Sequence, residues 1–392
     1  MTIPSSVQHS HAQKIEARVR ATNLRASTDD DRDYAFVPTV PEASIPRNID
    51  FGPWFPRVQD QGQIGICTGE TMTTIAESIW NTANKYVPGV TERSRRFNYK
   101  FSRQYDGITG DGGATPRSML RSAHNYGLPL ESSWPFTTDI DENPTQAVLD
   151  EAALSKVGRY EVMVLSPDDW RANLLQIRQA MAEGCRVALA FYCRRWMFYV
   201  NGPLGSQGHV GPAMAEGDPM NDLVGGHIEP VRRVDMDMLP NSGGAVVLHG
   251  SWGTSIGDQG LWSVPATMLT GVQGSGFLME VRVVRDFAGI SVAPVAPVQP
   301  VPLTQAEVDS ARQQLVGLGL GSFSNDAPHA FSLSIPGTPP ESWYEVIIGL
   351  LRSQGKTDAQ IGQVVSVPAD AVSAFSADTD RAARIAAWSS VF

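Results

Sequence analysis

Apolar residues recur along this chain at two different periods. Met72, Ile75, Ala76, Ile79 and Trp80 fall at the i, i+3, i+4, i+7 and i+8 positions of one face, which predicts a buried helix beginning at Cys67. Thr115 as cap and Pro116 in the first turn announce a second helix, with Met119, Leu120 and Ala123 inward and Gly127 as its stop. Ser166 and Pro167, with Asp169 in a capping-box position, predict a third, running through Leu174, Ile177 and Met181 to Gly184. Beyond Gly184 the runs shorten: 187–191, 227–234, 245–249, 260–264 and 277–284 are apolar or β-branched stretches between Gly, Pro and Asp turns, and read as strands. Helices first and strands second predict an α+β domain of two lobes with a cleft between them.

The flanks read differently. Residues 1–44 are polar, with an acidic run at Asp29, Asp30 and Asp31, and read as an N-terminal tail, a strap or a short propeptide. The main domain is expected over 45–287. Pro294, Pro297, Pro300 and Pro302 mark 288–303 as an extended linker, and 304–392 as a small helical module with helices after Thr304 and over 343–352, 358–365 and 369–375.

Composition narrows the functional classes. A chain of 392 residues with 42% apolar and 18% charged positions builds an ordinary core, and no uncharged apolar run approaches the roughly 20 residues that span a bilayer. Thirty-one basic against 41 acidic residues give a net charge of −10, which argues against phosphate tracking by the whole chain. Residues 355–372 resemble a helix-turn-helix pattern, but 369–375 carries Asp370 and no Arg or Lys. A protein-docking role for 304–392, with Trp343, Tyr344, Phe375 and Trp388 as core or partner surface, is therefore the expectation, and nucleic-acid binding is not. Three cysteines, Cys67, Cys185 and Cys193, cannot make a disulfide framework; they point to a reducing compartment or to one reactive thiol. No secretory h-region is visible in the first thirty residues, so a cytoplasmic, virion or injected location is expected. No metal or cofactor is expected, His9 and His11 being too few for a metal site.

The chemistry concentrates in 58–68, Val-Gln-Asp-Gln-Gly-Gln-Ile-Gly-Ile-Cys-Thr. A thiol in the first turn of a helix lies where unpaired backbone N–H groups and the helix dipole favour the thiolate near neutral pH. Gln61, six residues earlier across a Gly-containing turn, can bring its amide beside the Cys67 N–H as a second oxyanion donor.

With Gln61, Gly62, Gly65 and Cys67 in place, this block resembles the papain-like cysteine peptidases (the C1 family); it departs at Ile64, Ile66 and Thr68, where that family has a disulfide Cys, a Ser and a Trp. The resemblance continues in order through 45–50, Gly112-Gly113, 126–136, 181–202, Gly225-Gly226-His227 and 249–260, and covers about residues 45–285. It implies a two-lobed fold, a helical lobe plus a β-barrel-like lobe, and hydrolysis of polypeptides by Cys67 as nucleophile, His227 as base and Gln61 at the oxyanion. It also implies that Gly112 and Gly113 pair with substrate backbone and that Trp252 shields the imidazole. One departure is central: Gly250 stands where the family places the Asn that orients the base. Glu229, two residues after His227 on the same strand face, is the candidate substitute, while His249 and Ser251 are expected to face away. The alternatives are a catalytically degenerate papain fold serving as a virion or secretion-assembly part, and a thiol acyltransferase or deamidase, since other nucleophiles can intercept a thioester. A bacterial or viral origin accompanies these readings.

Overall fold

The computed structural model describes residues 22–28, 30–31, 33–198, 223–271, 277–291, 294, 305–317, 321–323, 331–333, 347–348, 350–351, 356 and 358–365. The chain divides into two compact units, Met1–Pro297 and Val298–Phe392.

In the first unit, helices α1 (Cys67–Ala83), α2 (Arg95–Tyr105), α3 (Pro116–Asn125) and α4 (Gln146–Ala152) precede α5 (Trp170–Ala182). The helix at Cys67 forms as its periodicity requires, with Met72, Ile75 and Ile79 fully buried; each such side chain contributes about 1.5–3 kcal/mol by leaving water. Helix α3 starts where Thr115 and Pro116 place it, the Thr115 hydroxyl accepting the Ser118 N–H. Helix α5 starts later than the Ser166-Pro167 signal: Asp169 is the cap, accepting from the Arg171 and Ala172 N–H groups, while the Ser166 hydroxyl accepts from the Asp169 N–H. Helix α2 escapes the apolar-period reading because its residues are mostly polar or charged, and α4 because it is only seven residues long; buried Arg96 and Arg103 of α2 face Trp134 and Tyr99 by cation–π contact.

The strands are β1 (Ile49–Asp50), β2 (Tyr160–Val162), β3 (Arg186–Arg194), β4 (Leu223–Asp235), β5 (Ala245–His249), β6 (Leu261–Pro265) and β7 (Leu278–Val284). They form one open antiparallel sheet in the order β2-β7-β3-β4-β5-β6, with β1 beside β4; among the described residues there is no closed barrel. Strand β3 alternates between two cores. Ala188 and Ala190 face the cluster holding Cys67, Met72 and Met119, whereas Val187, Leu189 and Phe191 face the cluster holding Leu174, Ile177 and Met181. The sheet is thus packed by α1 and α3 on one side and by α5 on the other. Strand β4 changes partner at Pro230, pairing with β3 up to that residue and with β5 from Val231; a residue without an N–H suits such a switch.

Part of the N-terminal region belongs to this unit. Leu24 and Phe36 are buried, Ala35 pairs with Val162, and Asp33 lies between Arg117 and Arg282.

In the second unit, α6 (Gln305–Gly317) and α7 (Asp358–Val365) are joined by Arg312, whose guanidinium donates to the Val364 and Gln363 carbonyls at the C-terminal end of α7. Two short antiparallel strands, Gly321–Phe323 and Phe331–Leu333, pair over three residues each. The predicted helix over 369–375, Trp343, Tyr344, Phe375 and Trp388 lie outside the described residues.

Candidate active site

Helix α1 carries Cys67 and strand β4 carries His227, and a hydrogen bond ties the two elements together. The Thr71 hydroxyl donates to the Ile228 carbonyl at 2.8 Å, which sets the first turn of α1 against the strand. Ile228 points into the α1 side of the sheet, and its backbone N–H serves the Cys67 sulfur. His227, on the opposite pleat, stacks on Trp252 with ring centroids 4.1 Å apart and meets Phe191 edge-on at 5.6 Å.

The His227 Nε2 lies 3.0 Å from Glu229 Oε1 and 3.3 Å from Ser251 Oγ, while Nδ1 makes no hydrogen bond. The Ser251 hydroxyl donates to Gln61 Oε1 at 2.6 Å, and the Ser251 N–H donates to the same Glu229 oxygen at 3.2 Å. Ser251 therefore faces the site, against expectation. Strand β5 ends at His249, so strand alternation does not govern residue 251. His249 does turn away, packing on Phe55, and burial pushes it down to about 3.

Gln61 is fully buried and held at both ends. Its N–H donates to the Ser251 carbonyl at 2.9 Å and its Nε2 to the Ile64 carbonyl at 2.9 Å. The neighbouring Asp60–Trp252 bridge and the Gly253 N–H to Gln59 carbonyl bond zip the two loops together. Asp111, unremarked in the sequence reading, performs a related task. Both its carboxylate oxygens lie 3.0 Å from the Gly65 N–H, and Oδ1 accepts the Tyr99 hydroxyl at 2.5 Å, tying the loop before Cys67 to the Gly112-Gly113 segment.

The cleft between Gly113 and Gly226 is filled by the chain's own residues 22–25. The Leu24 N–H donates to the Gly226 carbonyl at 3.2 Å, the Gly226 N–H to the Thr22 carbonyl at 3.0 Å, and the Arg25 N–H to the Ala114 carbonyl at 3.2 Å. The Asn23 side chain donates to the Asp111 carbonyl and Arg25 Nε to the Gly112 carbonyl. A Cβ on Gly113, whose φ is +78°, would come within 1.9 Å of the Asn23 carbonyl oxygen, so only glycine permits this approach. Nothing in the polar composition of 1–44 signals this placement.

Xylellain, a cysteine protease from Xylella fastidiosa, superposes with a TM-score of 0.57 over 68% of this chain and 96% of its own, at 20% identity. The fold is papain-like. Procathepsin L 3 of Tenebrio molitor (17% identity, 69% of this chain and 78% of that one, TM-score 0.48) and procathepsin B S9 of Trypanosoma congolense (12%, 72% and 89%, 0.49) are also similar. No family model matches the chain, and neither does any curated protein.

Within this papain-like fold two expectations change. The Cys67 thiol is not lowered: burial pushes it up to about 12, the Ile228 and Thr68 backbone amides pulling down and the charges of Glu229 and Asp111 adding upward. A helix terminus is worth about 0.3–2 kcal/mol, whereas full burial shifts a group by as much as 3–5 pKa units, so desolvation wins while the cleft is filled. The position of Gly250, moreover, has no room for a side chain. A Cβ there would lie 2.6 Å from the Gly260 carbonyl oxygen and 3.5 Å from Glu229 Oε1.

Proposed function

We propose that the chain is a thiol peptidase held latent by its own N-terminal strap. The observation that carries this reading is the meeting of Cys67, at the start of α1, with the strand segment His227-Ile228, where the imidazole keeps one buried nitrogen without a partner. Cys67 Sγ would attack the scissile carbonyl, and His227 would accept the thiol proton and return it to the leaving amine. The Cys67 N–H and the Gln61 amide would receive the developing oxyanion, and the ring of Trp252 would exclude water from the imidazole. The Gly112 and Ala114 carbonyls and the Gly226 main chain would pair with an extended polypeptide, the groups that residues 22–25 and the Arg25 side chain occupy here; Gly113, whose N–H donates to the Tyr99 hydroxyl, would give the polypeptide room for close approach.

Latency follows from the same contacts. Substrate and strap compete for one track, and a thiol buried under the strap stays protonated at neutral pH. The anchored part of the strap differs from the cleft part: Phe36 is in the core and Asp33 pairs with two arginines, so release concerns the residues before Asp33. A catalytically inert scaffold is the second reading, favoured by the same closed thiol. Hydrolysis of an unfolded protein by the Leu24→Asp chain under reducing conditions, abolished by adding Cys67→Ala, supports the peptidase. An unreactive Leu24→Asp chain whose Cys67 is nevertheless accessible to a small alkylating reagent supports the scaffold.

A further inference from the structure

The environment of Glu229 is unusual for a structural carboxylate. Its side chain is fully buried, its only ion-pair partner among the described residues is His227, and its Oε2 makes no hydrogen bond. Buried carboxylates ordinarily collect an Arg or Lys; Glu70, whose Oε2 also makes no hydrogen bond, has Arg95, and Glu161 has Arg159 and Arg285, whereas the one cationic partner of Glu229 among the described residues is the imidazole. An unpaired buried oxygen costs free energy, and such costs persist where a group serves the site.

Four observations assign that service. Glu229 follows His227 by two residues, so β4 presents both on one pleat. Oε1 is within 3.0 Å of Nε2 and is itself fixed by the Ser251 N–H. The Ser251 hydroxyl spends its proton on Gln61 Oε1, so it can only accept from Nε2. Both neighbours of Nε2 are therefore acceptors, which fixes the hydrogen on Nε2 and leaves the lone pair on Nδ1. Finally, Gly250 is bare where a Cβ would run into the Gly260 carbonyl oxygen at 2.6 Å and lie against Glu229 Oε1 at 3.5 Å.

We infer that Glu229 is the positioning residue for His227, a carboxylate delivered from the base's own strand in place of a side chain at position 250. This rests on the peptidase reading for its catalytic consequence. The proton leaving Cys67 Sγ goes to Nδ1, giving thiolate and imidazolium; the Nε2 hydrogen stays in place, donated to Glu229, whose negative charge stabilises the cation that an amide could only orient. Ser251 completes the arrangement by coupling the same nitrogen to Gln61, so base and oxyanion donor share one hydrogen-bonded chain.

The test combines nitrogen-15 NMR of histidine-labelled full chain with kinetics in the Leu24→Asp background. Wild type is expected to show His227 as the Nε2–H tautomer. Glu229→Ala should lose that uniform tautomer and lower kcat ~100-fold with KM within about threefold, the scale of a general base left misoriented. Glu229→Gln, which keeps an acceptor oxygen held by the Ser251 N–H, should retain the tautomer and recover part of the rate even if the Ala variant folds poorly. An Nδ1–H tautomer in wild type, or a tautomer and rate unchanged in Glu229→Ala, would overturn the inference. A wild-type Nε2–H tautomer that Glu229→Ala abolishes, in a chain that hydrolyses no peptide, would uphold the positioning role and defeat the peptidase reading alone.

Discussion

Glu229 Oε1 and His227 Nε2 stand 3.0 Å apart, two residues from each other on one strand and both sealed from solvent. That short sequence separation places both side chains on one face of β4, and Ser251, in the loop that follows β5, holds the pair through its N–H and hydroxyl. It also explains how the site tolerates glycine at position 250.

Gly250→Asn is therefore expected to harm and not to restore. A Cβ 2.6 Å from a backbone oxygen forces the strand ends apart, an overpacking cost of about 1–3 kcal/mol. Urea denaturation should show a lower midpoint at unchanged m-value, and turnover in the open-cleft background should fall. Gain of turnover would mean that the imidazole lacks an orienting partner after all.

Leu24→Asp should open the cleft, because a carboxylate cannot remain in the apolar cluster with Ile228 and Met279 without a partner. Alkylation by iodoacetamide, mapped by mass spectrometry, should accelerate at Cys67 by ~10-fold or more at pH 8. Cys185 and Cys193, both fully buried, act as internal controls and should remain unlabelled. Equal rates at Cys67 in the two chains would refute the strap as a barrier.

The pH dependence of that labelling carries its own expectation. With the closed thiol pushed up to about 12 by burial, the wild-type rate at Cys67 should climb about tenfold per pH unit from 8 to 10 without a plateau. The open chain should level off lower, since hydration removes the main upward contribution. A wild-type plateau below pH 8 contradicts the buried-thiol account.

Asp33 should make the strap acid-labile. Burial would raise its pKa, but hydrogen bonds and charges from Arg117 and Arg282 outweigh that and hold it below the ordinary carboxylate range. The stabilisation is thus present above pH ~4, the unfolded value, and is lost as pH falls through the folded value. Asp33→Asn should remove that acid-sensitive component and cost about 1.5–3 kcal/mol at pH 7 by taking the carboxylate from Arg117, while Arg282 keeps Glu280. Thermal melts of both chains between pH 3 and 7 decide the matter; parallel curves would exclude the clamp.

Asp111→Ala should loosen the loop before Cys67. It removes the acceptor of the Gly65 N–H and the Tyr99 hydroxyl, charge-assisted bonds worth about 1.5–3 kcal/mol each at most. Melting temperature and turnover should fall together, and an unchanged rate of Cys67 alkylation in the open background would show that the loop needs no such tie.

How much was written in the sequence depends on the range of each interaction. The α1 face from Met72 to Trp80, the Thr115-Pro116 start of α3 and the strand at Ala245–His249 follow from periodicity and capping, which act between residues a few positions apart. The pairing of His227 with Glu229 was legible for the same reason, since a two-residue repeat on a strand is local geometry. Helix α2 was not, because its buried arginines are neutralised or stacked by Trp134, Glu142 and Asp141, partners 38 to 46 positions away. Nor was Ser251, whose orientation depends on where β5 stops and on Gln61, 190 positions distant. The strap was the least visible: residues 22–25 are ordinary polar chain until Gly113 and Gly226 face each other across a gap of one strand's width. The sequence by itself determined which residues are candidates for chemistry, through residue type and local spacing. Only the tertiary structure decided that the thiol is shut in and protonated, because desolvation is set by everything packed around a group and not by its neighbours along the chain.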